Sequence, residues 1–255
     1  MGQPLYISGN QFIMCRRFSQ FFSKEAREAF ERNFGVPPPE PPYSRPTFNI
    51  PPGVDIHTVL RDSENNNQVR KMFWGLIPGF AKEFKQHPKL RLDLTRVEVF
   101  FDDKDNFRKD LLKSSRCIIP INCYFEWETR GKQKLPYKFE LVNSPLLYLG
   151  GIYDVWRRFD DVEFYSCSIV TMNATNTLAK IHPRMPFVVD EKVIDMWLDK
   201  KFDNYEVLRM AIKPFADERI QVSPVSTKVN KVENDYPELL EPIKAHVDVQ
   251  ADLFR

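Results

Sequence analysis

The sequence predicts an α+β fold with a largely antiparallel β-sheet or barrel at its core and helices at its periphery. Short runs rich in β-branched and aromatic residues recur between turn residues, at intervals of about 8–12 residues. Only a few stretches carry the spacing of an amphipathic helix. The chain has 255 residues, 42% of them hydrophobic, which suits one large domain or two small ones. Because no linker-like stretch follows residue 53, we expect a single domain.

The clearest helix is predicted over residues 24–34. Ser23 can cap its first turn, and Glu25 lies near the positive end of the helix dipole. Apolar residues recur within it at helical spacing and are expected to face the core. Gly35 is a typical C-terminal stop. Further helices are predicted from a cap at Asp105 or Asn106 through Lys113, over 174–181 and over 192–198.

The predicted strands alternate with polar turns. Residues 91–100 are expected to be extended, and turns are predicted at 63–67 and at 129–134 around Gly131. The strands are predicted over 54–60, 69–77, 116–120, 122–128, 137–142, 146–152 and 162–171, with a further one ending near Val188.

The stretch 36–53 is dense in proline, which excludes a helix and a central strand. One interpretation is a surface linker in the extended polyproline conformation. The other is that Tyr43, Phe48 and Ile50 are apolar enough to dock the segment onto the body of the domain.

The composition restricts the class of protein. The formal net charge is +2, which argues against a strongly basic nucleic-acid binder but allows a local basic groove. No apolar run reaches the ~18 residues that a membrane span needs, and residues 1–13 lack the pattern of a signal peptide. The four cysteines form no CxxC pair and no zinc-ligand spacing with histidine. We expect reduced thiols, no metal site and a cytoplasmic protein.

Cys15 follows Met14, which could itself be a start codon. If so, removal of the methionine leaves a cysteine whose thiol and free α-amine lie on adjacent carbons. The amine can condense with an aldehyde to an imine, and the thiol can close on that imine to give a thiazolidine. The same pair suits an N-terminal-nucleophile hydrolase, in which the amine is the base for the thiol. The alternative is a small, buried, apolar cysteine.

Three further side chains are candidates for chemistry. Glu126 lies in an apolar strand; alternation can place it in solvent, whereas a pocket beside aromatic rings would raise its pKa and suit acid–base work. His182 titrates near neutral pH and lies between rigid prolines, yet a lone histidine is more often structural. Arg96 can hold a phosphate, or it can form a solvated pair with Glu98 on one strand face.

Six motifs occur in a recognisable order along the chain. They are MCxRF at 14–18, FNxxP at 48–52, WGLIP at 74–78, xxRxE at 94–98, CIIPxxxxFEW at 117–127 and IHxRMP at 181–186. This order resembles the SOS response-associated peptidase (SRAP) family of abasic-site processing proteins. The resemblance implies a SRAP-like α+β fold over residues 14–240, preceded by a leader or mis-assigned start at 1–13 and followed by a tail at 241–255.

The resemblance implies a sensor of abasic sites in single-stranded DNA. Such proteins form a covalent thiazolidine DNA–protein crosslink that protects the site in the DNA damage (SOS) response. The family's catalytic residues match Cys15, Glu126 and His182. The peptidase label, with hydrolase or lyase as possible classes, reflects removal of the leading residues to expose the cysteine. The implied protein is a monomer that needs no cofactor and acts near the nucleoid of a bacterium.

The same resemblance implies a DNA-binding groove. Arg96 matches the family arginine that binds DNA phosphate, and Trp74 and Pro52 match positions that line the groove. Arg16 and Arg17 are expected to hold phosphates as well. The family has Gly where this chain has Arg16, and Asn where it has Leu94, so the fine geometry of the site is open. Two alternatives therefore remain: an N-terminal-nucleophile cysteine hydrolase, or a catalytically decayed single-strand-binding module.

The C-terminal tail carries the pattern Gln250-x-x-Leu253-Phe254. It resembles the short peptide by which bacterial repair proteins dock on the replication sliding clamp. A free extended peptide can place Leu253 and Phe254 in an apolar pocket while Gln250 bonds at the rim. The alternative is that these residues pack back onto the domain.

Overall fold

A computed structural model describes residues 16–84, 92–102 and 106–245. The strands are β1 (Phe18–Gln20), β2 (Thr47–Ile50), β3 (Asp55–Arg61), β4 (Asn67–Trp74), β5 (Leu94–Arg96), β6 (Arg116–Ile121), β7 (Cys123–Arg130), β8 (Gln133–Leu141), β9 (Leu147–Arg157), β10 (Glu163–Asn173), β11 (Arg184–Pro186) and β12 (Ile220–Pro224). The α-helices are α1 (Lys24–Phe34), α2 (Glu98–Phe101), α3 (Phe107–Ser114), α4 (Ile194–Leu198) and α5 (Tyr205–Ala211). Short 3₁₀ helices include Leu178–Lys180.

Five strands close on themselves in the order β10-β4-β3-β6-β9, because β9 also pairs with β10. Most of these pairs are antiparallel; β10 runs parallel to β4 and to the short β5. The interior is packed with buried apolar side chains. The predicted α+β class with a largely antiparallel barrel is confirmed.

A second sheet has the order β12-β8-β7-β1-β2. Gln20 connects it to the barrel: its side-chain amide donates to the carbonyls of His57 and Pro120, both at 2.8 Å, and its oxygen accepts from the His57 N–H at 2.9 Å. Because Gln20 is buried, these bonds satisfy groups that water cannot reach. The junction fixes the end of β1 relative to β3 and β6.

Local sequence signals place two helices as predicted. The Ser23 side chain accepts from the N–H of Ala26, and Gly35 ends α1 in the left-handed conformation at φ 65°. The side chain of Asn106 caps α3 in the same way. Both caps satisfy backbone groups that a helix end leaves open.

Other predictions need correction. Of the two interpretations of the proline-dense segment, the surface linker is wrong: the segment contains the edge strand β2, which pairs with β1 and buries Ile50, although Tyr43 is exposed. Residues 94–101 form a three-residue strand and then helix α2, so the extended prediction for 91–100 holds only for β5. The helix predicted over 174–181 is only the 3₁₀ turn Leu178–Lys180, and α5 and β12 were not predicted. In the part of the chain that the structure describes, no helix is long and apolar enough to cross a membrane.

Candidate active site in a basic cleft

A cleft of about 810 Å³ opens at one end of the second sheet. Five segments meet there: the start of β1, the turn after β2, the β7–β8 hairpin, the loop before β11 and the stretch around residue 230. The lining residues are Arg16, Arg17, Pro51, Pro52, Trp127, Glu128, Thr129, Lys134, Ala179, Lys180, Ile181, His182, Pro183, Asn230 and Val232. Four cations against one carboxylate make this lining positive.

Glu126 and His182 meet beside this cleft. Glu126 is 1% exposed and His182 is 5% exposed, and the Oε1 of Glu126 lies 3.5 Å from the Nδ1 of His182. Strand β7 carries the carboxylate, and the loop that leads into β11 carries the imidazole. The interpretation of Glu126 as a solvent-facing residue is therefore wrong, because the 179–183 loop covers that face of the strand.

Burial sets the charge state of His182. Desolvation lowers the pKa of its imidazole, and the positive charges of Lys134 and Arg184 act in the same direction. The backbone of Arg184 opposes this shift through its contact with the ring. At neutral pH the ring is therefore neutral and has one nitrogen that can accept a proton.

Arg16 and Arg17 are both anchored at the cleft. The Nε of Arg16 pairs with the buried carboxylate of Asp93. The Nη1 of Arg17 donates to Asn49 at 2.8 Å and to the carbonyl of Val229 at 3.1 Å, and burial lowers its pKa. Asp93 directly precedes Leu94 in the chain. Arg16 and Leu94, the two departures from the family pattern, are therefore close in space.

Asn49 holds the far wall of the cleft. Its side-chain amide donates to the carbonyls of Val229, Lys231 and Asn234, at 3.2, 3.0 and 2.8 Å. The two amide hydrogens are shared among these three carbonyls, and the amide oxygen accepts from Arg17. The stretch around residue 230 is therefore held firmly against β2.

The tryptophan that lines the cleft is Trp127 and not Trp74. Trp74 is 0% exposed; its ring packs 4.7 Å from that of Phe18, and its Nε1 donates to the carbonyl of Asp93 at 2.9 Å. The expectation that Trp74 lines the groove is wrong, since β4 points the ring into the core. Trp127, not predicted, lines the cleft, with its Nε1–H donating to Asn230 at 2.6 Å. The signal in the sequence that could have indicated a role for Trp127 is its position directly after Glu126.

Arg96 does not line the cleft. It is exposed on β5, opposite Thr171 of β10. The carboxylate of Glu98 is engaged by Arg184, so the solvated Arg96–Glu98 pair considered from the sequence is replaced by a different ion pair. Thr95, where the family has alanine, is buried and shares a 2.8 Å hydrogen bond with Ser168.

Several predicted residues lie outside the described part of the chain. These are Cys15, with the stretch 1–13, and the tail residues Gln250, Leu253 and Phe254. Their roles, and the division of the chain into leader, domain and tail, stay predictions. The three described cysteines, Cys117, Cys123 and Cys167, are buried free thiols. Within the described residues, no group of three or more His, Cys, Asp and Glu side chains is arranged to hold a metal ion.

The fold and the cleft define a barrel-based α+β protein with a carboxylate–imidazole pair beside a basic groove. Comparison with known proteins places it further. Residues 14–232 match the family described as SOS response associated peptidase (SRAP). Because that match covers most of the chain, the protein belongs to the SRAP family.

Two relatives in sequence agree with this assignment. The chain is 33% identical to the abasic site processing protein YoqW of Bacillus subtilis over 230 residues, covering 89% of this chain and 99% of YoqW. It is 30% identical to the abasic site processing protein HMCES of Gallus gallus, covering 80% of this chain and 68% of HMCES.

Two crystal structures share the fold. One, of a protein from Bordetella bronchiseptica, has a TM-score of 0.69 at 19% identity and covers 83% of this chain and 100% of that protein. The other, of a protein from Bacteroides thetaiotaomicron, has a TM-score of 0.65 at 24% identity and covers 77% and 85%.

Proposed function

We propose that this protein recognises abasic sites in single-stranded DNA and crosslinks to them through a thiazolidine formed by Cys15. The observation that carries the proposal is the buried Glu126–His182 pair beside a basic cleft. Arg16, the residue joined to Cys15 by a peptide bond, lines that cleft. The relatives YoqW and HMCES are abasic site processing proteins, which supports DNA with abasic sites as the substrate.

The reaction begins at the α-amine. Its reference pKa is about 7.7–8.0, so a useful fraction is neutral at physiological pH. The neutral amine attacks the aldehyde of the ring-opened sugar, and the resulting carbinolamine loses water to give an imine. The thiol of Cys15 then adds to the imine carbon and closes the ring. Overall, one water leaves, and no oxidant or reductant is needed.

Glu126 and His182 have separate tasks in this scheme. Glu126 relays protons to and from the amine and the carbinolamine. His182, whose ring is neutral at rest, takes up the proton of the sugar's anomeric hydroxyl and delivers it to the ring oxygen, which opens the sugar to the aldehyde. The Oε1 of Glu126 and the Nδ1 of His182 lie 3.5 Å apart. The change in charge when one group takes up a proton can therefore be offset by the other group. A neutral imidazole suits a group that must take up and return a proton within each cycle.

The cleft walls have the chemistry to hold single-stranded DNA. Arg16, Arg17, Lys134 and Lys180 place positive charge where a phosphate backbone would run. The ring of Trp127 offers a flat apolar face to a base. With the exposed Arg96 on the neighbouring strand β5, these groups attract the backbone without regard to base sequence.

This function requires a free α-amine on Cys15. A chain that begins at Met1 becomes competent only after the residues before Cys15 are removed; a chain whose translation starts at Met14 needs only the removal of that methionine. We therefore assign the peptidase label to this processing. Because the proposed substrate is damaged DNA, we expect the protein at the bacterial nucleoid in the cytoplasm.

The direct test is an incubation of protein beginning at Cys15 with single-stranded DNA that carries one abasic site. A product that survives denaturing electrophoresis supports the proposal. The same DNA with an intact base, and the Cys15→Ala variant, are controls in which only reversible binding is expected. Reversible binding by the unaltered protein alone indicates a decayed binding module instead. Peptide cleavage without a DNA adduct indicates a cysteine hydrolase.

The tail carries a separate proposal. Gln250, Leu253 and Phe254 would dock on the sliding clamp, which raises the effective concentration of the protein at replication forks. Calorimetry with a peptide of residues 245–255 and the clamp of the host tests it. Absence of binding at high micromolar clamp, or binding that survives Leu253→Ala with Phe254→Ala, rejects it.

A further inference from the structure

The backbone N–H and the carbonyl oxygen of Arg184 both contact the Nδ1 of His182. Its N–H lies 3.2 Å from the Nδ1 of His182, and its carbonyl oxygen lies 3.1 Å from the same atom. The same nitrogen faces Glu126. The position of the Arg184 backbone therefore sets where the imidazole sits relative to the carboxylate.

The side chain of Arg184 is held by several contacts at once. It is 10% exposed and forms a two-point ion pair with Glu98, at 2.5 and 3.0 Å. It also donates to Asn173 at 2.7 Å and to the carbonyl of Thr171 at 2.8 Å. A planar guanidinium that engages acceptors on two elements resists rotation and shift more than a single contact does.

Glu98 connects this cluster to the strand of Arg96. It is the first residue of α2, two positions after Arg96 at the end of β5. Burial acts to raise the pKa of Glu98, but hydrogen bonds from Arg184 and the backbone, with the charges of Arg184 and Arg96, outweigh it and lower the pKa. The carboxylate of Glu98 is therefore ionised at neutral pH. A continuous set of polar contacts thus runs from the segment of Arg96 to His182.

We propose that Arg184 and Glu98 are positioning residues: their ion pair holds the His182 imidazole in register with Glu126 and joins it to the segment that follows strand β5. The inference rests on the proposed function, in which His182 moves a proton. Loss of the pair removes none of the four cations that line the cleft, because neither Arg184 nor Glu98 lines it. It affects the chemical step rather than DNA binding, since a displacement of about 1 Å at a reacting group can cost about 100-fold in rate.

The test uses protein that begins at Cys15 in four forms: unaltered, Arg184→Met, Arg184→Lys and Glu98→Gln. Glu163→Gln is the matched control, because it removes the carboxylate of another Arg–Glu pair, formed with Arg157 at 2.8 Å. The maximal rate of adduct formation at saturating abasic DNA is measured for each form. The Kd for the same oligonucleotide with an intact base is measured beside it.

We expect a maximal rate at least about tenfold lower for Arg184→Met and several-fold lower for Glu98→Gln. Arg184→Lys, which keeps the charge and part of the bonding, should lie between Arg184→Met and the unaltered protein. The Kd values should agree within about twofold, and Glu163→Gln should match the unaltered protein in both measurements. If Arg184→Met does not fold, Arg184→Lys and Glu98→Gln decide the question.

The pH–rate profile separates positioning from a general loss of stability. The charged groups that face His182 are Glu126 from β7, Lys134 from β8 and Arg184 from β11, and the α-amine of Cys15 titrates in the same reaction. Removing the positive charge of Arg184 should raise the pKa of His182 and move the limb of the profile that it governs to higher pH. Arg184→Lys should leave that limb in place.

The outcomes distinguish the two proposals. Suppose that the unaltered protein forms the adduct, and that Arg184→Met and Glu98→Gln both react at the rate of the unaltered protein with the same pH–rate profile. The positioning role is then overturned, and the proposed function stands. If Glu98→Gln changes the Kd and not the maximal rate, the pair serves DNA binding, and the positioning role is again overturned. If the unaltered protein forms no adduct, the proposed function and this inference both fail.

Discussion

Replacing Trp127 with alanine tests whether the cleft holds single-stranded DNA by stacking. The indole lines the cleft, and its Nε1–H donates to Asn230 at 2.6 Å. The guanidinium of Arg17 lies 5.9 Å from the ring centroid, which adds a cation–π contact and keeps the ring in place. Trp127→Ala removes the flat face and leaves the cations of the cleft.

The expected loss follows from the value of one stacked base. Alanine substitution of a stacking aromatic costs about 1–3 kcal/mol per base. Since about 1.4 kcal/mol corresponds to a tenfold change in Kd, binding should weaken by about 5-fold to 150-fold. Trp127→Phe keeps an aromatic face and loses only the Nε1 hydrogen bond to Asn230, so it should recover most of the affinity.

Fluorescence anisotropy with a labelled oligonucleotide, free of abasic sites and at fixed salt, measures this Kd. Thermal unfolding of each variant shows whether it is folded, because Trp127 also packs against a small buried cluster around Phe125 and Leu239. A folded Trp127→Ala variant that binds with unaltered affinity would refute stacking at this position. Equal losses for the alanine and phenylalanine variants would assign the effect to the hydrogen bond.

Three further predictions concern rate, salt and pH. Glu126→Gln and His182→Asn should each slow adduct formation by about 10²–10⁴-fold, as measured by quenched-flow or gel kinetics, because each removes a group that transfers protons; rates within twofold of the unaltered protein would exclude those roles. Arg96→Ala should weaken binding and make the slope of log K against log salt shallower by about one; an unchanged slope means no phosphate contact. Burial lowers the pKa of His57 from 6.5 to about 4, so His57 is protonated at a higher pH in the unfolded chain than in the folded one. The free energy of unfolding should therefore fall as the pH drops from about 6.5 towards 4, by about 2 kcal/mol at about pH 5. Urea denaturation of His57→Gln should lack this part of the pH dependence, and an identical dependence would contradict it.

Local chemistry made part of the fold predictable. Helix α1 begins and ends where Ser23 and Gly35 indicate, because a cap and a left-handed glycine act within a few residues. Strand β2 was not predicted, because its pairing with β1 lies far along the chain and the flanking Pro46 and Pro51 suppress the strand signal. Helix α2 was also missed, because a single turn is too short to show helical spacing in the sequence. The partner of its first residue, Glu98, is Arg184, which lies far along the chain.

The site shows the same division between local and distant causes. The motif order identified Glu126 and His182, yet their contact requires two segments more than fifty residues apart in sequence to meet. Alternation along β7 favoured an exposed Glu126, and it failed because the covering loop comes from elsewhere in the chain. Trp74 was misplaced because its motif says nothing of which way the ring points. Trp127 faces the cleft and was recognised only from the structure.

The most direct test of the central claim is intact-mass analysis of the adduct between protein beginning at Cys15 and an oligonucleotide with one abasic site. We predict a species whose mass is the sum of protein and DNA less one water, and peptide mapping should place the DNA on Cys15. The species should form without a reducing agent, since ring closure by the thiol stabilises the imine. Three results would contradict the account. They are an adduct on a lysine, an adduct that persists only after reduction, and an adduct that Cys15→Ala still forms in the absence of a reducing agent.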